Sequence, residues 1–184
     1  MWNLPNLLTL FRILLIPFFV LTFYLPFSEH HLITAIIFGV ACFTDWLDGY
    51  LARILQQTSK LGAFLDPVAD KLIVVVALVL LVGEESFKYL VIPALIIIGR
   101  EIVVSSLREW MAELGKRSSV AVSMMGKVKT TLQMVALVVL LAYQPGSSPN
   151  WLMALGYASL YAAAALTLWS MLIYLRAALP DFRK

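Results

Sequence analysis

Four aspartates carry the first chemical signal in this chain. Asp45 and Asp48 stand three residues apart, Asp66 and Asp70 stand four apart, and Gly49, Ala52, Arg53 and Gly62 lie between the pairs. At about 100° of rotation per helical residue, each pair occupies one face of its own helix. The connection from about Gln56 to Leu61 is short enough to make the two helices antiparallel neighbours, so the four carboxylates are expected to converge. Four uncompensated anions in apolar surroundings repel one another and demand a cation. Arg53 and Lys71 can neutralise part of that charge. The remaining demand suits a hard divalent ion, Mg²⁺ or Mn²⁺, because every candidate ligand is an oxygen and no Cys or His is near. Bridging carboxylates can also hold two such ions about 3.5–4 Å apart.

The elements that position these acids follow from composition. Of 184 residues, 61% are hydrophobic and only 14% are charged, with a mean hydropathy of +0.89. These values fit a membrane protein and exclude a disordered or collagen-like chain. Cys42 is the sole cysteine, which excludes a disulfide-stapled module. A net charge of +3 and a pI near 9.1 are read as basic residues beside membrane spans, not as a nucleic-acid surface. The opening Met1-Trp2-Asn3-Leu4-Pro5-Asn6 lacks a basic leader region, so the first apolar run is expected to stay in place.

Hydropathy predicts an all-α, integral membrane protein with six transmembrane helices in a single domain, residues 1–184. The spans are about Leu7 to Phe27, Leu32 to Leu55, Gly62 to Val82, Tyr89 to Leu114, Val120 to Tyr143 and Trp151 to Leu175. One set of connections carries Glu29, Glu84, Glu85 and Lys88. The other carries Arg53, Lys60, Lys116, Arg117, Lys127, Arg176, Arg183 and Lys184. Because positive residues collect on the cytoplasmic side, both termini and the aspartate cluster are expected there.

The pattern from Asp45 to Asp70 resembles the full signature of the CDP-alcohol phosphatidyltransferase family, membrane enzymes that move a phosphatidyl or related group from a cytidine diphosphate donor to an alcohol. Asn3 to Arg12, Arg108 to Val122 and Gly126 to Thr131 are similar to the bacterial branch that makes phosphatidylglycerophosphate. The resemblance implies the CDP-alcohol phosphotransferase fold, a homodimer in the bacterial inner membrane, and a reaction of CDP-diacylglycerol with sn-glycerol 3-phosphate. Its products would be phosphatidylglycerophosphate and CMP, the committed step toward phosphatidylglycerol and cardiolipin. It further implies that Asp45 and Asp66 bridge two ions, that Asp48 holds one and Asp70 the other, and that Asp70 is the general base. Gly49, Arg53, Ser59, Thr9 and Arg12 would then border the CDP-diacylglycerol.

An acceptor that is itself a phosphate needs a second basic lining. Arg100, Arg108, Lys116, Arg117, Lys127 and Lys129 are available, and Arg100, Arg108 and Lys127 are the favoured three. Arg100 and Glu101 lie deep in an apolar helix and are costly there unless used or paired. Serine, inositol phosphate or phosphatidylglycerol is the alternative acceptor. An ion or proton transporter is the competing class, but transporters show related halves and midplane sites, whereas these acids gather at one end.

Overall fold

The computed structural model describes residues 4–54, 60–113 and 124–182, with side chains described at 6–51, 54, 62, 64–113 and 128–176. Those residues form six α-helices: α1 (Leu4–Tyr24), α2 (His30–Ile54), α3 (Lys60–Gly83), α4 (Val91–Glu113), α5 (Met124–Ala142) and α6 (Asn150–Phe182). A single 3-10 turn, Glu85–Phe87, precedes α4, and no strand occurs among the described residues. The all-helical architecture expected from hydropathy is therefore what the chain adopts. By length and apolarity α1, α2 and α6 qualify as membrane spans, and α5 contributes the shorter apolar stretch Val128–Ala142. In α3 and α4 the run is interrupted by Asp66, Asp70 and Lys71 and by Arg100 and Glu101.

Local chemistry sets the ends. α1 stops at Tyr24, three residues before the expected Phe27, because Pro26 disfavours helical geometry at Leu25. Pro93 sits in the first turn of α4, where its missing N–H leaves no bond unmade. The α5–α6 connection turns at Gly146, whose φ of +82° is left-handed and suits glycine. There the Gln144 backbone N–H donates to Ser148 Oγ at 3.0 Å. α6 continues past the expected Leu175 to Phe182.

The helices pack around Phe19, Phe38, Ile73, Leu78, Leu81, Leu90, Ile97, Leu137 and Leu140, all buried. Lipid is as apolar as leucine, so helix association in a membrane depends on close contact and small residues. Ala41, Ala77, Ala136, Ala163 and Gly156 serve this purpose. A Cβ added to Gly156 would lie 2.6 Å from Leu140 Cδ2, which is how closely α6 approaches α5. The outward faces carry Phe18, Leu21, Phe43, Trp46, Phe64, Leu95 and Trp169, as expected of a surface that meets acyl chains.

One neighbour relationship differs from expectation. α2 and α3 touch only lightly, whereas α1 packs extensively on α2 and also on α3. α1 brings the Thr9 hydroxyl between Asp48 of α2 and Asp66 of α3, and its Arg12 guanidinium holds both acids of α2.

Candidate active site

At the end of the bundle where α1, α3 and α5 begin and α2, α4 and α6 finish, polar side chains enclose a cavity of about 420 Å³. Its lining divides by charge. Asp45, Asp66 and Asp70 supply one part, from α2 and α3, and Lys71, Arg100, Arg108 and Lys129 supply the other, from α3, α4 and α5. Glu101, Thr130, Gln133 and Tyr174 complete the polar wall. Three of the four acids thus line one chamber, while Asp48 is engaged by Arg12, and Arg100 and Arg108 of the favoured basic residues line the same chamber.

α1 supplies the link between the acid pairs. Arg12 is fully buried; its Nη1 donates to Asp45 Oδ1 and its Nη2 to Asp48 Oδ2. Thr9, one turn earlier and also fully buried, donates its hydroxyl to Asp66 Oδ1 at 2.6 Å and lies 3.3 Å from Asp48 Oδ2. Thr9 and Arg12 therefore belong to the site, and in this structure they contact the aspartates themselves. An arginine on an apolar helix must find an anion, and that was the signal available in the sequence for this pairing.

A Cβ built on Gly49 meets nothing among the described residues within 4 Å. The side chains of Arg53 and Lys127, and Ser59 altogether, lie outside the described residues.

In the basic part, Arg100 donates through Nη1 to Glu101 Oε1 at 2.7 Å and through Nη2 to Ser170 Oγ of α6 at 3.5 Å. Lys129 Nζ stands 3.5 Å from the same Glu101 oxygen. The Arg108 guanidinium lies 5.7 Å from the centre of the Tyr174 ring, a cation–π distance. Lys71 Nζ donates to Ser105 Oγ of α4; it is turned toward α4 rather than held by the carboxylates it was expected to neutralise. Sequence reasoning counted Lys129 among the basic residues but favoured Lys127, and it missed Gln133 and Tyr174. Lys129 and Gln133 are four apart on α5 and share a face, a signal present in the sequence.

The expected metal has a suitable donor set. All candidates are hard oxygens, and three of the four carboxylates face one cavity. In the arrangement described, however, no three acidic, His or Cys side chains among the described residues stand close enough to share one ion. Arg12 holds Asp45 and Asp48 in its fork instead.

A sequence model of the CDP-alcohol phosphatidyltransferase family matches residues 2–171. The chain belongs to that family. Curated family members include the CDP-diacylglycerol–glycerol-3-phosphate 3-phosphatidyltransferases of Salmonella typhimurium, 56% identical, and of Escherichia coli, 57% identical. Each alignment spans 180 residues, covering 98% of this chain and 97% of the relative. In this CDP-alcohol phosphatidyltransferase three of the four signature aspartates line a chamber that also carries cationic side chains, and α1 contacts that signature through Thr9 and Arg12.

Proposed function

We propose that this phosphatidyltransferase moves the phosphatidyl group of CDP-diacylglycerol to sn-glycerol 3-phosphate, giving phosphatidylglycerophosphate and CMP. The observation that carries this reading is the single cavity with carboxylates at one side and Arg100, Arg108 and Lys129 at the other. A phosphorylated acceptor needs such a basic wall, and serine or an unphosphorylated alcohol does not. The names of the relatives point the same way.

In this mechanism the acceptor phosphate binds the basic wall, and that contact places its primary hydroxyl, at the carbon farthest from the phosphate, toward Asp70. The hydroxyl oxygen attacks the lipid-side phosphorus, the bond from that phosphorus to the bridging oxygen breaks, and CMP departs with the electron pair. Asp70 accepts the hydroxyl proton. Gly49, which carries no Cβ, would give the diphosphate room beside α2. Arg53, with its forked donors, suits the diphosphate oxygens, Ser59 adds a hydrogen bond, and Lys127 assists at the acceptor phosphate. Asp45, Asp48, Asp66 and Asp70 would hold two Mg²⁺ or Mn²⁺ ions, with Arg12 yielding its place between the first two. When bound, those ions supply positive charge where negative charge grows on the leaving CMP.

The reading also places the enzyme in the bacterial inner membrane as a homodimer, with both termini and the cavity facing the cytoplasm. This location lets the lipid donor arrive sideways between helices and the water-soluble acceptor arrive from solution.

The test is CMP release from CDP-diacylglycerol in detergent against a panel of acceptors. Release that requires glycerol 3-phosphate and a divalent ion is the expected result. Release with serine alone would reassign the acceptor, and no CMP with any alcohol would overturn the enzymatic reading.

A further inference from the structure

Glu101 is used by no step above, yet among the described residues of the cavity lining it is the only acid outside the aspartate signature. One of its oxygens, Oε1, meets two cations from different helices: Arg100 of α4 at 2.7 Å and Lys129 of α5 at 3.5 Å. Both cations are almost wholly buried, at 8% and 3% exposure. Two buried charges of the same sign repel, and neither can recover its solvation from water. A single carboxylate between them offsets that repulsion without cancelling it, so the trio keeps one net positive charge facing the cavity.

We infer that Glu101 is a positioning residue that sets acceptor selectivity: it fixes Arg100 and Lys129 as a paired cationic wall of the size and charge that recognise a phosphate monoester. This rests on the glycerol-phosphate reading of the cavity. Three observations support the role. Arg100 is held from its other side by Ser170 at 3.5 Å, so its guanidinium is fixed between α4 and α6. Arg100 Nε is buried and has no hydrogen-bond partner among the described residues, so the orientation of the guanidinium depends on Glu101 and Ser170 at its Nη atoms. The other acids lining the cavity are Asp45, Asp66 and Asp70. Without Glu101, two long cationic side chains have those aspartates as the remaining anions of the chamber, and turning toward them removes the phosphate wall.

Glu101→Gln removes the charge and keeps the volume. The expected result is a KM for glycerol 3-phosphate raised about tenfold or more, with KM for CDP-diacylglycerol and kcat at saturating acceptor changed less than about twofold. Inhibition by inorganic phosphate weakens in parallel, and the preference for glycerol 3-phosphate over glycerol narrows. Glu101→Asp restores part of the acceptor KM, because the charge returns on a shorter stem. Donor and acceptor KM rising together, or kcat falling with acceptor KM unchanged, overturns the inference. Should Glu101→Gln fail to accumulate as folded protein, the same split read on Glu101→Asp decides. A wild-type enzyme that takes no glycerol 3-phosphate sinks the reaction reading by itself, before any variant is compared.

Discussion

Arg12 and Asp48 form an ion pair that water does not reach: their side chains are 0% and 6% exposed. A pair of this kind adds little over a well-packed apolar one, but removing one member strands the other at a cost of about 3–5 kcal/mol. The pair also joins α1 to α2 at the level of the catalytic cavity, so its loss should be felt in folding and in chemistry alike.

Arg12→Gln should therefore lower the detergent-solubilised melting temperature markedly, since Asp48 loses its charge partner. Added Mg²⁺ should recover more stability in the variant than in the parent, because an ion can then take up the charge the guanidinium left. Tryptophan fluorescence during heating, with and without Mg²⁺, reads both quantities; equal melting temperatures would remove Arg12 as the counter-ion.

Asp70→Asn keeps the side-chain shape and removes the proposed proton acceptor. Turnover should fall by about 10²–10⁴-fold, the range that general-base catalysis contributes. CDP-diacylglycerol should still bind, as followed by protection against thermal unfolding. Parental CMP release by this variant would eliminate Asp70 as the base.

Arg108→Ala should raise KM for glycerol 3-phosphate more than KM for the lipid donor. Tyr174→Leu should produce a weaker form of the same change, roughly two- to fivefold, because a cation–π contact at a partly exposed site contributes about 0.5–1 kcal/mol. Steady-state kinetics with each substrate varied in turn separates the two constants, and equal effects on both would refute the acceptor assignment.

Exhaustive chelation should abolish CMP release, and Mg²⁺ or Mn²⁺ should restore it. Zn²⁺, which prefers nitrogen and sulfur ligands, should restore little. Full activity in the presence of chelator would mean that Arg12 and the basic wall suffice for the electrostatics.

The opposite end of the bundle carries a pH dependence of its own. Glu84, in the connection before α4, stands 3.6 Å from His31, and burial pushes its carboxyl above the ordinary 4.5 while His30 pulls it back. A raised carboxyl binds its proton more tightly folded than unfolded, so its contribution falls as pH rises above 4.5. Glu84→Gln should lack that decline. Melting temperatures of parent and variant between pH 4.5 and about 7 give the difference, and parallel curves would show that Glu84 does not titrate there.

Much of this was legible in the sequence because two periodicities agree. Asp45 with Asp48 and Asp66 with Asp70 fit helical spacing, and the apolar runs around them supplied the helices. The pairing of elements was less accessible. Thr9 and Arg12 lie 57 residues from Asp66 and 36 from Asp48 in the chain, and nothing in local pattern says that α1, rather than α3, fills the space beside α2. Only the folded bundle brings Thr9 to Asp48 of α2 and Asp66 of α3. The same holds for Glu101: the sequence marks it as costly, but only the docking of α4 and α5 on their common neighbours α3 and α6 brings Lys129 to it. Tyr174 was lost among aromatic residues that could equally have faced lipid.

The ion pair between the first two helices also bears on biogenesis. A lone arginine on a single apolar helix is costly to insert, about 2.5–3.5 kcal/mol at the bilayer centre and less toward the helix end where Arg12 lies, and the acids that relieve Arg12 emerge from the ribosome only with the following segment. Entry of both segments together as a hairpin, already neutralised, is the cheaper route into the bilayer, so a chain truncated before Asp45 should be released from the translocon less readily than one that extends beyond Asp48.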